Sequence, residues 1–391
     1  MRPLSCGCLP GSSVFDRGGF SRRGVLRATG LGFVASMVAT LVGEARTARA
    51  QKLAGPVPEV DRLRVTMLTD NFVWPFFSPQ QLDGLKIERT GGLGAERPGV
   101  PPRATLTSEW GLSMLAESGI GSQTRTVLVD FGYTPQALLT NMRILGVDPS
   151  RIDTMVLSHG HFDHFGGLTG LLVASKGLLK PGLPLFVGGE DCFCTRELMN
   201  GVDFGVLDRK AILDAGLTLM FAEGPSIAAD HAITTGQIPL VSFEKPLRPT
   251  QEKTGLVAGL GCDPAREPAA KNTGTFVPDD FQHEIATSYV VRGKGLVVLT
   301  SCSHRGVVNT VRQALAATGV ERLHAVIGGF HLTPPLTDAY IRQTVAELKA
   351  MRPDFLVTAH CTGDAFYEIA RTEMPGQVIH SAVGTRLVFG T

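Results

Sequence analysis

Ser158-His159-Gly160-His161-Phe162-Asp163-His164-Phe165-Gly166-Gly167 packs four potential metal ligands into six residues. They follow directly on Asp153-Thr-Met-Val-Leu-Ser158, an apolar run that reads as a buried strand. Neutral imidazoles with a carboxylate suit Zn²⁺ or a similar first-row divalent ion. A tight turn at a strand end can point His159 and His161 to one side and Asp163 with His164 to another. Gly160, Gly166 and Gly167 let the backbone bend there without a steric penalty. A histidine-rich surface loop is the bland alternative, but chance rarely sets H-x-H-x-D-H at the end of a strand.

Such a turn needs a rigid scaffold. Leu63 to Thr69 and Arg125 to Phe131 read as strands, the second ending in Asp130-Phe131-Gly132. Residues 135–145 have helical periodicity with proline in the first turn. A helix is expected from about Gly166, a short strand over 184–188 and another helix near Arg196. A hairpin is expected over 285–300 around Gly293-Lys294. Helix 307–317, strand 323–327, helix 337–351, strand 355–359 and a final strand 385–389 complete the series. Residues 77–108 look like a long ordered loop, and 223–282 a Pro/Gly-rich insertion or lid. Strands dominate early and alternate with helices later, which suggests an α/β sandwich in one domain. Packing of helix 337–351 on the sheet is the expected use of its apolar face.

The chain has 391 residues, with 37 Lys+Arg against 36 Asp+Glu. Ser21-Arg22-Arg23-Gly24-Val25-Leu26-Arg27 is a twin-arginine pattern, followed by an uncharged stretch from Ala28 to Val42 and by Ala48-Arg49-Ala50, a small-x-small cleavage signal. Fifteen uncharged residues from Ala28 to Val42 are too few to span a bilayer comfortably, so a removable export leader over 1–50 is expected rather than a permanent membrane span. Partnership with the twin-arginine export machinery and a periplasmic or exported location follow from that reading. Removing the leader's seven arginines and two acids leaves 30 basic and 34 acidic residues, a mild acidic surplus that argues against nucleic-acid binding. Hydrophobic content of 43% with 19% charged residues excludes a disordered chain. Cys192, Cys194, Cys262, Cys302 and Cys361 would remain after cleavage, and no disulfide framework is implied by their spacing.

From about residue 63 to the C-terminus the sequence resembles the metallo-β-lactamase fold superfamily. Beyond the histidine motif, Thr69-Asp70-Asn71, Glu109-Trp110-Gly111-Leu112-Ser113, Ser301-Cys302-Ser303-His304, Asn309, Gly328-Gly329-Phe330-His331-Leu332 and His360-Cys361-Thr362-Gly363 carry the likeness. They resemble the branch named for 7,8-dihydropterin-6-methyl-4-(β-D-ribofuranosyl)aminobenzene-5′-phosphate synthase. The resemblance implies a four-layer αββα sandwich over 60–391 and two divalent ions, zinc first, with iron or manganese compatible. His159, His161 and His304 would form one site, and Asp163, His164 and His360 the other. Asp163 would also act in catalysis. Asp130, His331, Cys302 and Glu284 would brace the ligands or face the substrate, with His331, Cys302 or Glu284 as a further ligand the alternative. The expected activity is hydrolysis of a small ester, lactone, amide or phosphoester by metal-activated hydroxide. A synthase-like condensation, a di-iron oxidoreductase and a non-catalytic metal-containing binding protein are the alternatives.

Overall fold

The computed structural model describes residues 50–90, the backbone of 93–94, and residues 104–390. The leader over 1–49 lies outside the described residues. Alternation within apolar strands builds the layers. In the strand Arg62–Thr69, Leu63, Val65 and Met67 join one core and Leu68 another. In Gly295–Thr300, Val297 and Leu299 join the same central core, and Leu296 and Val298 a third. Strands buried on both faces read as continuous apolar runs, because each face meets a separate core.

The central core lies between two large sheets. One runs in the order Ser226–Ala228, Ala232–Thr234, Thr287–Val291, Gly295–Thr300, Leu323–Gly328, Phe355–Thr358, Val378–His380. The other runs Thr218–Phe221, Pro184–Val187, Thr154–Val156, Gln123–Val129, Ser113–Ile120, Arg62–Thr69, Thr385–Gly390, Leu85–Arg89, Gln80–Leu82. Helices Pro135–Leu145 and Leu168–Ala174 cover the outer face of the second sheet, and Val307–Thr318, Asp338–Ala350 and Asp364–Glu373 that of the first. The result is the four-layer αββα sandwich.

Local signals fixed several elements where expected. Helix Pro135–Leu145 starts with Pro135, is capped by the Thr134 hydroxyl accepting from the Ala137 amide, and ends at Gly146 with φ 71°. Helix Asp338–Ala350 turns Ile341, Val345 and Leu348 into the core.

Other expectations were overturned. The segment near Arg196 is a strand, Thr195–Leu198, because it pairs with Thr250–Lys253 and outweighs the helical propensity of Arg-Glu-Leu-Met. Residues 77–108 are not all loop, since Gln80–Leu82 and Leu85–Arg89 extend the second sheet. Within 223–282 the first hairpin belongs to the first sheet, and Thr250–Lys253 with Val277–Pro278 builds a small separate sheet on Thr195–Leu198. Cys194 and Cys262 form a disulfide that the spacing did not suggest, because folding brings together positions 68 residues apart. Among the described residues no helix is long and apolar enough to cross a membrane.

Candidate metal centre

The histidine motif leaves the strand Thr154–Val156 and turns into the short helix Phe162–Phe165, at the ends of strands from both sheets. His159, His161, Asp163 and His164 are all buried. The turn draws in His304 from the loop after Gly295–Thr300 and His360 from the end of Phe355–Thr358. Two groups result whose candidate ligand atoms lie within 4.8 Å of one another: His159, His161 and His304 in one, Asp163, His164, Cys302 and His360 in the other. All six expected ligands are therefore gathered, with Cys302 added to the second group.

Donor chemistry in these groups fits divalent metal ions. His159 Nε2, both ring nitrogens of His304 and Asp163 Oδ1 are buried without a hydrogen-bond partner. Unpaired buried polar atoms are costly, so their concentration in these two groups calls for a ligand. Burial holds the His159 and His304 imidazoles well below the ordinary histidine range, and the neighbouring histidines add to the effect. Burial likewise pushes His161 down to about 3, against the pull of Asp163 and Asp279. Neutral imidazoles are the form that ligates. Phe281 supplies much of this dry floor, stacking on the His304 ring at 4.0 Å and meeting His161 edge-on at 5.1 Å.

The second group has the opposite electrostatics. Burial alone would lower the His164 pKa, but Asp163 and Asp130 outweigh it and raise it to about 10. Two carboxylates that stabilise an imidazolium would equally stabilise a cation in its place. Asp163 Oδ2 lies 3.2 Å from His360 Nε2 and 3.5 Å from His164 Nε2. Cys302 Sγ is 3.2 Å from His164 Nε2 and 3.3 Å from Cys361 Sγ. Cys361, absent from the sequence-based candidates, is brought to Cys302 only by the fold.

A polar frame orients these side chains. Asp130, fully buried, accepts from the Ser158 amide at 2.7 Å and the Ser158 hydroxyl at 2.8 Å, and pairs with His164 Nδ1 at 2.8 Å. Ser158 Oγ in turn lies 2.9 Å from His159 Nδ1. Glu284 accepts from the His304 and Arg305 amides at 2.7 Å each, so both its oxygens face backbone and it holds the His304 loop. Asp70 Oδ1 accepts from the His360 amide at 2.9 Å, and Asn71 Oδ1 lies 3.1 Å from His360 Nδ1. His331 stays outside both ligand groups, with its ring 4.3 Å from that of His304 and its Nδ1 unpartnered. Asp130, Ser303, His331 and His360 all adopt positive φ, between 48° and 59°. Such backbone costs energy in non-glycine residues and persists where the surroundings impose it.

Sequence reasoning missed a second buried frame beneath the motif. Arg196, fully buried, donates to Asp279 at 2.6 Å and to the Cys192, Cys194 and Asp191 carbonyls, and lies 3.4 Å from Glu252. Lys271 pairs with Glu252 and Asp280 at 2.9 Å and with Asp191 at 3.3 Å. His283 accepts from the Gly160 amide at 3.0 Å, while its Nδ1 sits 3.0 Å from Asp191. That ties the charged frame to the motif turn. A Cβ on Gly160 would stand 2.4 Å from the Cys192 carbonyl, so only glycine fits. Glu252, Asp279 and Asp280 also cluster closely, but Arg196 and Lys271 already pair with them.

Residues 113–177 match the family model described as the metallo-β-lactamase superfamily. Over 263 residues, 66% of this chain and 82% of the other, the chain is 29% identical to the 7,8-dihydropterin-6-methyl-4-(β-D-ribofuranosyl)-aminobenzene-5′-phosphate synthase of Methanocaldococcus jannaschii. A stretch of 64 residues, 16% of this chain and 19% of the other, is 38% identical to ribonuclease Z of Aeropyrum pernix. The crystal structure of Tm1679, a metal-dependent hydrolase of the β-lactamase superfamily, aligns with a TM-score of 0.59 at 21% identity, covering 83% of this chain and 98% of that one. That last likeness is one of fold.

Proposed function

We propose that this chain, which belongs to the metallo-β-lactamase superfamily, is a metal-dependent hydrolase of a small ester, lactone, amide or phosphoester. The reading rests on one observation: two adjoining ligand groups, His159/His161/His304 and Asp163/His164/Cys302/His360, at one mouth. Two divalent ions, zinc first, would acidify a water molecule there and polarise the oxygen of the bond to be cut. The chain's own side chains supply the rest. Asp163 Oδ2 faces His360 Nε2 and His164 Nε2 and would share an ion with them, while Oδ1, buried without a partner, would accept a hydrogen bond from the attacking water. His331, with Nδ1 unpartnered beside the mouth, is placed to contact a polar group of the substrate. Phe281 keeps bulk water from the floor. Asp163→Asn is expected to abolish turnover of an ester, lactone and phosphodiester panel while the circular dichroism spectrum stays unchanged. Full activity in that variant refutes the assignment.

The synthase relative favours a second reading, synthesis of the product that its name gives. Formation of the named product by the metal-loaded chain, with no hydrolysis across the panel, would establish it instead.

Export through the twin-arginine route, with cleavage near Ala50, is part of the same proposal. The Cys194–Cys262 disulfide supports it, since structural disulfides persist in oxidising compartments. Cell fractionation of the full chain and of Arg22→Lys/Arg23→Lys tests this. Periplasmic, shortened protein is expected only for the native chain, and cytoplasmic protein with an intact leader contradicts it.

A further inference from the structure

The walls of the mouth differ in kind from its floor. The floor carries the ligand groups, while Trp110, Leu198, Phe204 and Pro249 rise around it and enclose about 370 Å³ open to solvent.

These apolar residues are fixed in place. Trp110 is 60% exposed, yet its backbone is held on both sides. Glu109 accepts from the Tyr133 amide at 2.8 Å and from the Thr134 hydroxyl at 2.6 Å. A Cβ on Gly111 would stand 2.6 Å from the Tyr133 nitrogen, so the chain passes close at that point. Leu198 and Phe204 flank a tight hairpin, closed by Leu198 donating to the Val202 carbonyl at 2.8 Å and Phe204 to the Arg196 carbonyl at 2.9 Å. The buried Arg196 anchors that hairpin, and the Phe204 ring meets His161 edge-on at 5.1 Å. The Met199 amide donates to the Pro249 carbonyl at 3.3 Å, tying in the last wall.

The buried cations beneath the mouth are turned to other work. Arg196 is taken up by Asp279 and three carbonyls, and Arg305 donates to the Ile238 and Asp280 carbonyls at 2.5 and 2.6 Å. Fixed aromatic and aliphatic walls over a polar, metal-type floor favour a substrate with a polar reacting group and an apolar body.

We propose that the substrate is an uncharged ester or lactone whose acyl portion is apolar and packs against Trp110, Leu198 and Phe204. This rests on the hydrolase reading and narrows it away from phosphoesters. The hydrophobic contact strengthens with each methylene that enters the mouth, by about fourfold in kcat/KM per fully buried methylene.

Two measurements on the metal-loaded protein test it. In the first, kcat/KM is followed across p-nitrophenyl esters from acetate to octanoate, γ-lactones of increasing chain length and bis-p-nitrophenyl phosphate. In the second, calorimetry gives affinities for the linear carboxylates from acetate to octanoate, which need no turnover. For the native chain both series should rise with chain length, by up to about fourfold per methylene, and the phosphodiester should be the poorest substrate. Trp110→Ala and Phe204→Ala should each flatten the slopes. Esters cleaved without dependence on chain length, a phosphodiester cleaved best, or slopes untouched by both substitutions would overturn the proposal and leave the hydrolase reading standing. Chain-length-dependent carboxylate binding with no hydrolysis of any ester would uphold the apolar mouth and defeat the hydrolase reading. Carboxylate affinities flat along the series would overturn the proposal whatever the turnover.

Discussion

Asp130→Asn removes one charge and keeps the shape of a side chain that touches neither the mouth nor the solvent. The native carboxylate uses three contacts, to the Ser158 amide at 2.7 Å, the Ser158 hydroxyl at 2.8 Å and His164 Nδ1 at 2.8 Å. An amide offers one acceptor oxygen where the carboxylate offers two. If that oxygen keeps the Ser158 amide, the new NH₂ faces His164 Nδ1 and leaves a donor opposed to a donor. If the amide flips, the Ser158 amide loses its partner instead. Either way one buried donor goes unsatisfied, at about 1–3 kcal/mol. His164 also loses a charge-assisted contact that fixes its ring, and removing such a brace typically weakens metal binding about 10–100-fold. The two figures agree, because a tenfold change corresponds to about 1.4 kcal/mol. Zinc competition against a chromophoric chelator reads this directly. Loss should fall mainly on the Asp163/His164/Cys302/His360 group, with a smaller effect on His159, which Asp130 reaches only through Ser158. Unchanged zinc affinity at both groups in a folded variant would refute the reasoning. A fall in thermal stability without a change in affinity would show Asp130 to be structural only.

Three further outcomes follow from the same contacts. In metal-free protein the raised His164 pKa, about 10 against 6.5, contributes stability that is complete below pH 6.5 and lost as pH rises through 10. The melting temperature of the native apo chain should therefore fall more between pH 7 and 10 than that of His164→Asn, and parallel curves would contradict the assignment. Arg196→Met leaves Asp279 buried without its cation and Glu252 with Lys271 alone, so urea unfolding should show a loss of about 3–5 kcal/mol, and a loss under about 1 kcal/mol would show the frame to be dispensable. Cys262→Ala opens the Cys194 loop, whose sequence separation is 68, and chain entropy puts the cost at about 4 kcal/mol. Equal urea midpoints for this variant and the native chain would exclude that contribution.

The parts of the centre legible in the sequence were those whose signals are local. The histidine motif is contiguous, so its residue types and its place after an apolar strand already indicate metal chemistry. His304 and His360 follow strands that read as continuous apolar runs, and the fold brings both to the motif. Helix Pro135–Leu145 carries its cap, its proline and its terminal glycine within the segment itself. What stayed hidden depends on partners distant in the chain. Arg196 reads as a surface charge until Glu252 and Asp279 arrive to neutralise it. Cys361 gains meaning only beside Cys302, and Cys194 only beside Cys262. The positive φ at Ser303, His331 and His360 is imposed by surrounding structure, and no glycine announces it. Helix Asp364–Glu373 was within reach, since Gly363 precedes it and Phe366, Ile369 and Ala370 share its buried face.

The gathered side chains are proposed to hold two divalent ions. This is tested most directly by the metal content of the purified chain, counted per molecule for the native protein and for His304→Ala. Two ions per native chain, falling in the variant, are predicted, because His304 offers a buried, unpartnered ring nitrogen to the first group. A native chain that takes up no divalent metal, or a count that His304→Ala leaves unchanged, would contradict the account.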